Sequence, residues 1–316
     1  TIEVMSEDSS GNLSEVGSHT VRIDTTPPIV PNPETALSIT NNPRPTWNWT
    51  KTADIAEFGI IFDGGTEIIT QNNSYTPTSS LPDGSYEIKV KAKDEVGNWS
   101  EYGTNTVVVD ITSPAIPQPT TTTPTNNAQP KWTWPSVPDA VEYGVILGEE
   151  SEVWIADSEY SSPIVLDNGL HTIQVRSKDE VGNISEPGTH IVEVDKIAPV
   201  APSPSTSTPT NNVRPTWTWA AVQGASEYHV SLNGSASVSV GADTTFTPTE
   251  DLTSGDHTIQ VWATDAVGNQ SEKGSHTVTI DLELPPVPQP TTTTPTNNTQ
   301  PTWTWTAIPG VNEYIV

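Results

Sequence analysis

The stretch "RPTWTWAAV" (residues 214–222) alternates tryptophan with threonine, and its Trp-x-Trp pair occurs four times in the chain. Successive side chains of a β-strand point to opposite faces, so both tryptophans of a pair lie on the same face. Large apolar rings gathered on one face predict a strand that packs against a core. The four pairs are Trp47/Trp49, Trp132/Trp134, Trp217/Trp219 and Trp303/Trp305.

Two further patterns recur at the same interval as the tryptophan pairs. The sequence Asp-x-x-Gly-Asn begins at Asp8, Asp94, Asp179 and Asp265, and a single aspartate precedes a proline-rich segment at Asp24, Asp110, Asp195 and Asp281. Successive copies of each pattern lie 85 or 86 residues apart. Patterns in constant phase predict a tandem unit of about 85 residues.

The phase of these patterns predicts three complete repeats between two partial ones. The predicted domains are 1–25, the C-terminal part of a repeat; 26–111, 112–196 and 197–282, three complete repeats; and 283–316, the N-terminal part of a repeat. Residues 117–134 and 288–305 are nearly identical, which indicates recent duplication. We expect the chain to be a segment of a longer repetitive protein.

Within each repeat, short alternating segments are separated by turns that contain glycine and asparagine. In the repeat 197–282, the apolar positions of three strands are Tyr228, Val230 and Leu232; Ile259, Val261 and Ala263; and Val278 and Ile280. With a first strand near residues 204–210, this pattern gives about seven strands and no helical periodicity. The sequence therefore predicts an all-β fold of tandem seven-stranded β-sandwiches.

Several motifs resemble known families. The tryptophan of the second strand, the tyrosine that opens the third, and Leu-x-x-Gly before "HTIQVWATD" (257–265) in the sixth resemble fibronectin type III and bacterial Ig-like domains. The ending D-x-x-G-N-x-S, with its later aspartate and proline, resembles the tandem Ig-like repeats of large secreted surface adhesins. The resemblance implies an extracellular or cell-surface location. It also implies that a tyrosine begins the sixth strand, but Tyr86 is followed in the next repeats by His171 and His257. The tyrosine-corner hydrogen bond is then either made by imidazole or not made.

Composition limits the possible partners. The chain has 39 acidic and 12 basic residues, and this balance disfavours nucleic acid and anionic membrane surfaces, which require a basic face. No apolar run approaches the length of a membrane span, so we expect no membrane insertion in this segment. Without cysteine, disulfides and thiolate metal sites are impossible. The expected partners are neighbouring repeats of the same chain and other copies packed laterally.

Proline-rich segments join consecutive repeats at residues 24–33, 110–119, 195–204 and 281–290. Proline fixes its φ angle and disfavours helix in the residue before it, so these joints should be extended and stiff. A row of sandwiches with stiff joints predicts a rod-like array.

The stretch "DEVGNWSE" (94–101) supports two interpretations. The topology of a sandwich brings the turn between strands six and seven close to the end of the preceding repeat, where carboxylate and amide oxygens suit calcium. The residues of this hypothetical inter-domain calcium site are Asp24 with Asp94 and Asn98, Asp110 with Asp179 and Asn183, and Asp195 with Asp265 and Asn269. Alternatively, the aspartate accepts backbone hydrogen bonds in a purely structural turn.

Other chemistry has weaker support. The six histidines lie mostly at equivalent strand positions, and no nucleophile, metalloprotease or phosphate-loop motif is present, so we expect no enzyme activity. The paired tryptophans are expected in the core rather than in a sugar-binding platform. Trp154 and Trp262 each occur once, and Trp262 falls on the outward face of its strand, so they are candidates for isolated sugar contacts.

These observations favour a structural extender, or stalk, in a large extracellular bacterial surface protein or adhesin, with joints stiffened by calcium under one hypothesis. Two alternatives stay open. One is a self-assembling extracellular fibre or surface-layer subunit, in which lateral packing of copies is the function. The other is a set of spacer modules in a secreted carbohydrate-active enzyme.

Overall fold

The computed structural model describes residues 1–292 and 294–316, so residue 293, within the predicted partial repeat 283–316, lies outside the described residues. Among the described residues, no helix is long and apolar enough to cross a membrane. Contacts group residues 1–121, 131–162 and 172–191 into one compact unit and residues 122–130, 163–171 and 192–316 into a second. Repeat 26–111 lies wholly in the first unit and repeat 197–282 wholly in the second.

The chain begins with a short hairpin of β1 (Ile2–Val4) and β2 (Gly17–His19). Repeat 26–111 follows with seven strands: β3 (Ile39–Thr40), β4 (Trp47–Asn48), β5 (Ile55–Phe62), β6 (Ile68–Thr70), β7 (Ser74–Tyr75), β8 (Gly84–Asp94) and β9 (Gly103–Val109). One sheet has the order β3-β9-β8-β5-β6, and β4 pairs with β7 in the other. Strand β3 runs parallel to β9, and all other pairs in this repeat are antiparallel.

The next two repeats keep this plan with six strands each. Repeat 112–196 contains β10 (Lys131–Thr133), β11 (Glu142–Leu147), β12 (Val153–Ile155), β13 (Glu159–Ser161), β14 (Gly169–Lys178) and β15 (Gly188–Val194). Repeat 197–282 contains β16 (Trp217–Thr218), β17 (Ala225–Leu232), β18 (Val238–Gly241), β19 (Thr245–Phe246), β20 (Gly255–Asp265) and β21 (Gly274–Ile280). The larger sheets have the orders β12-β11-β14-β15 and β18-β17-β20-β21.

The all-β fold of tandem sandwiches is confirmed, but the first strand differs from the prediction. In repeat 197–282 it is reduced to two isolated bridges, in which Ser205 pairs with Thr218 and Thr210 pairs in parallel with Ile280. Pro204 precedes the first bridge and Pro209 lies between the two, and neither has an N–H to donate, so a continuous ladder cannot form there. The number of strands per repeat is therefore six or seven.

Tryptophans fill the centre of each complete repeat. Trp47, Trp132 and Trp217 are 0 % exposed, and the second tryptophan of each pair is also buried. That second ring meets the ring at the start of the third strand edge-on, with centroid distances of 5.6 Å for Trp49–Phe58, 5.5 Å for Trp134–Tyr143 and 5.7 Å for Trp219–Tyr228. Burial of about 150–250 Å² per ring corresponds to roughly 4–6 kcal/mol of gross transfer free energy.

The residue that begins the sixth strand makes the same hydrogen bond in every complete repeat. The Tyr86 hydroxyl donates to the carbonyl oxygen of Pro82 at 2.9 Å. His171 Nε2 lies 2.8 Å from the carbonyl oxygen of Asp167, and His257 Nε2 lies 2.9 Å from that of Thr253. Imidazole therefore makes the corner hydrogen bond wherever it replaces the phenol, which decides between the two alternatives left by the sequence.

A second, half-buried position also changes between repeats. The Trp47 indole N–H donates to Asn105 Oδ1 at 3.0 Å. The residues equivalent to Asn105 are His190 and His276, one and two repeats further along the chain. Within the described part of the chain, neither these imidazole Nδ1 atoms nor the equivalent indole N–H groups of Trp132 and Trp217 have a hydrogen-bond partner. The strand pattern places the same indole in each core, but its N–H has an acceptor only in the first complete repeat.

Candidate functional site

The Asp-x-x-Gly-Asn segment closes a tight turn between the last two strands of a repeat. Asp179 Oδ1 accepts the backbone N–H groups of Val181, Gly182 and Asn183 at 3.1, 2.8 and 2.8 Å. Asp179 Oδ2 accepts the side-chain amide of Asn183 at 2.8 Å. Gly182 has φ = 96°, a conformation that favours glycine, so the Asp-x-x-Gly-Asn pattern encodes this turn directly.

The asparagine of the turn also reaches the preceding repeat. Asn183 Nδ2 donates to the backbone carbonyl oxygen of Asp110 at 2.9 Å, and the two residues are 73 positions apart. The equivalent bonds join Asn98 to the carbonyl oxygen of Asp24 at 3.1 Å and Asn269 to that of Asp195 at 2.9 Å. The structure therefore brings together the three sets of residues on which the calcium hypothesis was built, with an amide rather than a carboxylate as the connecting group.

Other polar contacts hold the segment 110–119 from both sides. Asp83 accepts the backbone N–H of Ile111 at 2.6 Å and the hydroxyl of Thr112. On the side of the following repeat, Ser113 Oγ donates to the carbonyl oxygen of Ile184 at 2.9 Å, and Ser177 Oγ donates to that of Ala115 at 2.7 Å. The segment is thus attached along its length and is not a free tether.

A proline of each joint packs against the glycine that begins the last strand of the repeat. Pro117 and Pro119 are buried, and a Cβ added to Gly188 would collide with the carbonyl oxygen of Pro117. Gly103 meets Pro31 in the same way, and Gly274 meets Pro202. These glycines allow a close approach of two backbones. The sequence interpretation missed them, although their recurrence at 85 and 86 residues was a signal that could have identified them.

The first residues of the segment 195–204 are held by a different pair of groups. Asn168 Oδ1 accepts the backbone N–H of Lys196 at 2.8 Å, and Lys196 Nζ donates to the carbonyl oxygen of Leu166 at 2.8 Å. Asn168 occupies the position that Asp83 has in the repeat before it. A neutral amide here takes the role that a carboxylate has at residues 110–119.

Hydrogen bonding shifts the acidity of the turn aspartates. Partial burial raises the pKa of Asp94, but hydrogen bonds from the side chain and backbone of Asn98 and from the backbone of Gly97 and Val96 outweigh it, and the net pKa is lowered. In Asp265 burial also raises the pKa, and bonds from Asn269, Val267 and Gly268 again lower it overall. Both carboxylates are therefore ionised acceptors at neutral pH.

The oxygen atoms that the calcium hypothesis would use already accept hydrogen bonds. Calcium takes six to eight oxygen ligands, but both carboxylate oxygens of Asp179 and the carbonyl oxygen of Asp110 already accept N–H donors. Asp110 Oδ1 accepts the backbone N–H of Thr112 at 3.2 Å. Among the residues that the structure describes, no group of three or more His, Cys, Asp or Glu side chains could hold a metal. A cleft of about 630 Å³ beside Asp110 and Asp179 is acidic, but it contains no such group.

The single tryptophans are more covered than the sequence suggested. Trp262 lies on the outward face of β20 but is only 9 % exposed, because His229 stacks on it at 5.5 Å and Lys273 Nζ lies 4.6 Å from its ring centroid. The expectation of an exposed ring at this position is wrong, since neighbouring strands supply the covering side chains. Trp154 is half-buried, with Lys178 Nζ at 4.2 Å. These cations occupy the ring faces on which a sugar would stack.

Comparison with known proteins identifies two of the repeats. Residues 35–111 and 203–282 match the family model of the bacterial Ig-like domain. These two repeats are bacterial Ig-like domains. Residues 112–196 share their strand order, tryptophan pair and turn. The predicted outer boundaries of the Ig-like repeats stay predictions.

Comparison with solved structures also found similar chains. The chicken CNTN1 FN1–FN3 domains are 14 % identical, with 80 % of this chain and 99 % of that chain covered and a TM-score of 0.37. The fibronectin(III)-like modules of Clostridium thermocellum CbhA are 17 % identical, with coverage of 52 % and 94 % and a TM-score of 0.34. A search of the curated proteins found no match.

Proposed function

We propose that the chain is a structural extender, or stalk, in a large extracellular bacterial surface protein or adhesin, and that it projects a functional tip away from the cell. Bacterial Ig-like and fibronectin-like modules are typical extender or spacer domains and are common in extracellular proteins. The observation that carries the proposal is the joint at residues 110–119, which hydrogen bonds and buried prolines attach on both sides. Attachment of this kind suits a spacer that holds one repeat in a fixed orientation to the next. A flexible tether does not need it.

The charge of the chain supports the same role. A formal net charge of −27 makes copies of the protein repel one another. Tandem domains of similar sequence are prone to misassembly while they fold, because a strand of one repeat can pair with a neighbouring repeat. Mutual repulsion opposes such pairing and keeps the surface well hydrated.

Self-assembly into a fibre is a second candidate, and one observation favours it. The outer strands β6, β12 and β18 lie at sheet edges and expose apolar side chains, among them Ile69 (50 %), Val153 (48 %) and Val238 (58 %). Exposed apolar edge strands are sites where another chain can add. Sedimentation velocity over a range of concentrations separates the two candidates, because the extender is monomeric and the fibre subunit associates.

Small-angle X-ray scattering tests the extender proposal. The matched control is the same chain with residues 24–33, 110–119 and 195–204 replaced by Gly/Ser segments of equal length, which behave as flexible coils. We expect the native chain to have the larger maximum dimension and the smaller spread of conformers. Equal scattering profiles would contradict the proposal. Repeating the measurement with calcium and with chelator tests the hypothesis that calcium stiffens the joints.

A further inference from the structure

The side-chain amide of the turn asparagine makes two hydrogen bonds with different partners. One hydrogen of Asn183 Nδ2 goes to Asp179 Oδ2 in its own turn, and the other goes to the carbonyl oxygen of Asp110 at the end of the preceding repeat. Asn98 and Asn269 repeat this arrangement with distances between 2.8 and 3.1 Å. In each case one small polar group connects an oxygen of one repeat to an oxygen of the next.

The copy of the turn at residues 8–12 shows which of the two bonds the turn itself requires. Asp8 Oδ1 accepts the backbone N–H groups of Ser10 and Asn12 at 2.9 Å, and Asp8 Oδ2 accepts Asn12 Nδ2 at 3.0 Å. These bonds within the turn use one hydrogen of the Asn12 amide. The second hydrogen of an equivalent amide is therefore available to a neighbouring repeat.

We infer that the amides of Asn98, Asn183 and Asn269 fasten each repeat to the preceding one and stand in the place where a metal ion would otherwise join the two. The recognised partner is the backbone carbonyl group of the last aspartate of the preceding repeat. This role does not depend on the extender proposal, because it concerns the joint and not the purpose of the array.

Charge explains why an amide is suited to this position. The turn carboxylate of Asp179 is negatively charged and the carbonyl oxygen of Asp110 carries a partial negative charge, so a group between them must attract both oxygen atoms. A metal ion does so through its charge, whereas an NH₂ group does so with two N–H bonds and no need for a cation. The donation to an ionised carboxylate is the stronger kind of hydrogen bond, and it orients the amide toward Asp110.

Asparagine is also the residue type on which this arrangement depends. Aspartate has almost the same shape but no hydrogen to donate at neutral pH, so it would place a second carboxylate beside Asp179. The substitution Asn183→Asp therefore removes the donors and keeps the size of the side chain. Asn183→Ala removes both the donors and the acceptor, and agreement between the two variants would identify the N–H groups as the cause.

A distance measurement between two repeats tests the inference directly. Because the chain has no cysteine, Ser79→Cys and Glu149→Cys place one spin label in repeat 26–111 and one in repeat 112–196, both at exposed positions. Pulsed electron resonance then gives the distribution of distances between the labels in the full chain. Asn183→Asp and Asn183→Ala are compared with Asn127→Ala, because the side chain of Asn127 bonds to the backbone of Gln129 in its own loop. Amide exchange at Val181 and Gly182 reports separately whether the turn is still closed.

We expect a narrow distribution in the native chain that is the same in calcium and in chelator. Both Asn183 variants should broaden the distribution, with about a tenfold loss in the ratio of closed to open joints, while Asn127→Ala leaves it unchanged. A native distribution that broadens in chelator would overturn the inference, since a cation would then be the fastener. It would equally be overturned if Asn183→Asp kept the native distribution, or if the joint opened only when exchange showed that the turn had opened.

Discussion

The core of a repeat and the joint beside it are held together by different kinds of interaction. The Trp132 ring is 0 % exposed, and burial of its apolar surface stabilises the repeat. Around Asn183 the contacts are a few hydrogen bonds, one of which connects residues 73 positions apart. The difference indicates that the stability of a repeat and its attachment to the next repeat are separate properties. Changes in the core should unfold a repeat, whereas changes in the joint should free it without unfolding it.

The largest effect is expected from a change in the core. Trp132→Ala should lower the free energy of unfolding of repeat 112–196 by about 3–5 kcal/mol, because it removes a fully buried ring and leaves a cavity. Calorimetry of the full chain should then show one repeat melting earlier than the others. A loss below about 1 kcal/mol would show that Trp132 is not a central core residue.

A smaller loss of stability is expected from a change at the contact between Gly188 and Pro117, where the joint packs against the last strand of the repeat. Gly188→Ala should destabilise the attachment of residues 110–119 by about 1–3 kcal/mol, because a Cβ has no room beside the carbonyl oxygen of Pro117. Gly17→Ala is the matched control, since Gly17 is the equivalent residue and its added Cβ would lie 3.7 Å from the nearest carbonyl oxygen. Chemical shift changes along residues 110–119 measure the displacement. Equal effects of the two substitutions would argue against a specific contact between Pro117 and Gly188.

Exchanging one half-buried residue tests whether the two cores differ only in the acceptor for the indole N–H. His190→Asn gives the indole N–H of Trp132 the acceptor that Asn105 provides for Trp47, and should raise the free energy of unfolding by about 0.5–1.5 kcal/mol. The reciprocal Asn105→His should lower it in repeat 26–111. Urea unfolding of the full chain measures both changes, and shifts of the same sign would contradict the equivalence of the two positions.

The smallest loss of stability is expected when low pH protonates Asp83 beside the joint at residues 110–119. Hydrogen bonds from the Ile111 N–H and then from the Thr112 hydroxyl lower the pKa of Asp83. A lowered pKa means that this contact stabilises the folded joint above the ordinary value of about 3.9 and is lost as the pH falls through the lowered value. Asn168 makes the equivalent contact without a titrating group. The protection factor of the Ile111 amide should therefore fall in acid before that of Lys196, and a simultaneous fall would exclude Asp83 as the cause.

Much of the fold could be predicted from sequence because two features dominate it. These are the burial of apolar side chains and the two-residue period of a β-strand. Alternation places Ile259, Val261 and Ala263 on a buried face, and the structure shows each of them 0 % exposed. The covering of Trp262 could not be predicted in this way, since it depends on which residue of β17 lies opposite. That residue is His229, and its place is set by strand register.

The joint was only partly predictable for a related reason. Topology alone suggested that Asp110 meets Asp179 and Asn183, because the order of strands in a sandwich brings those positions together. The direction of the hydrogen bonds and the close approach of Pro117 to Gly188 depend on distances of a few tenths of an ångström, which residue spacing does not specify. Oxygen-rich residues therefore suggested a cation, while the geometry shows an amide donor at the centre of the contact.

Residual dipolar couplings of the full chain, measured in chelator, test most directly the claim that hydrogen bonds and buried prolines hold neighbouring repeats together. We expect couplings from repeats 26–111 and 112–196 to fit a single alignment tensor, and Asn183→Asp to split them into two. Two tensors of different magnitude in the native protein, merging into one only when calcium is added, would contradict it.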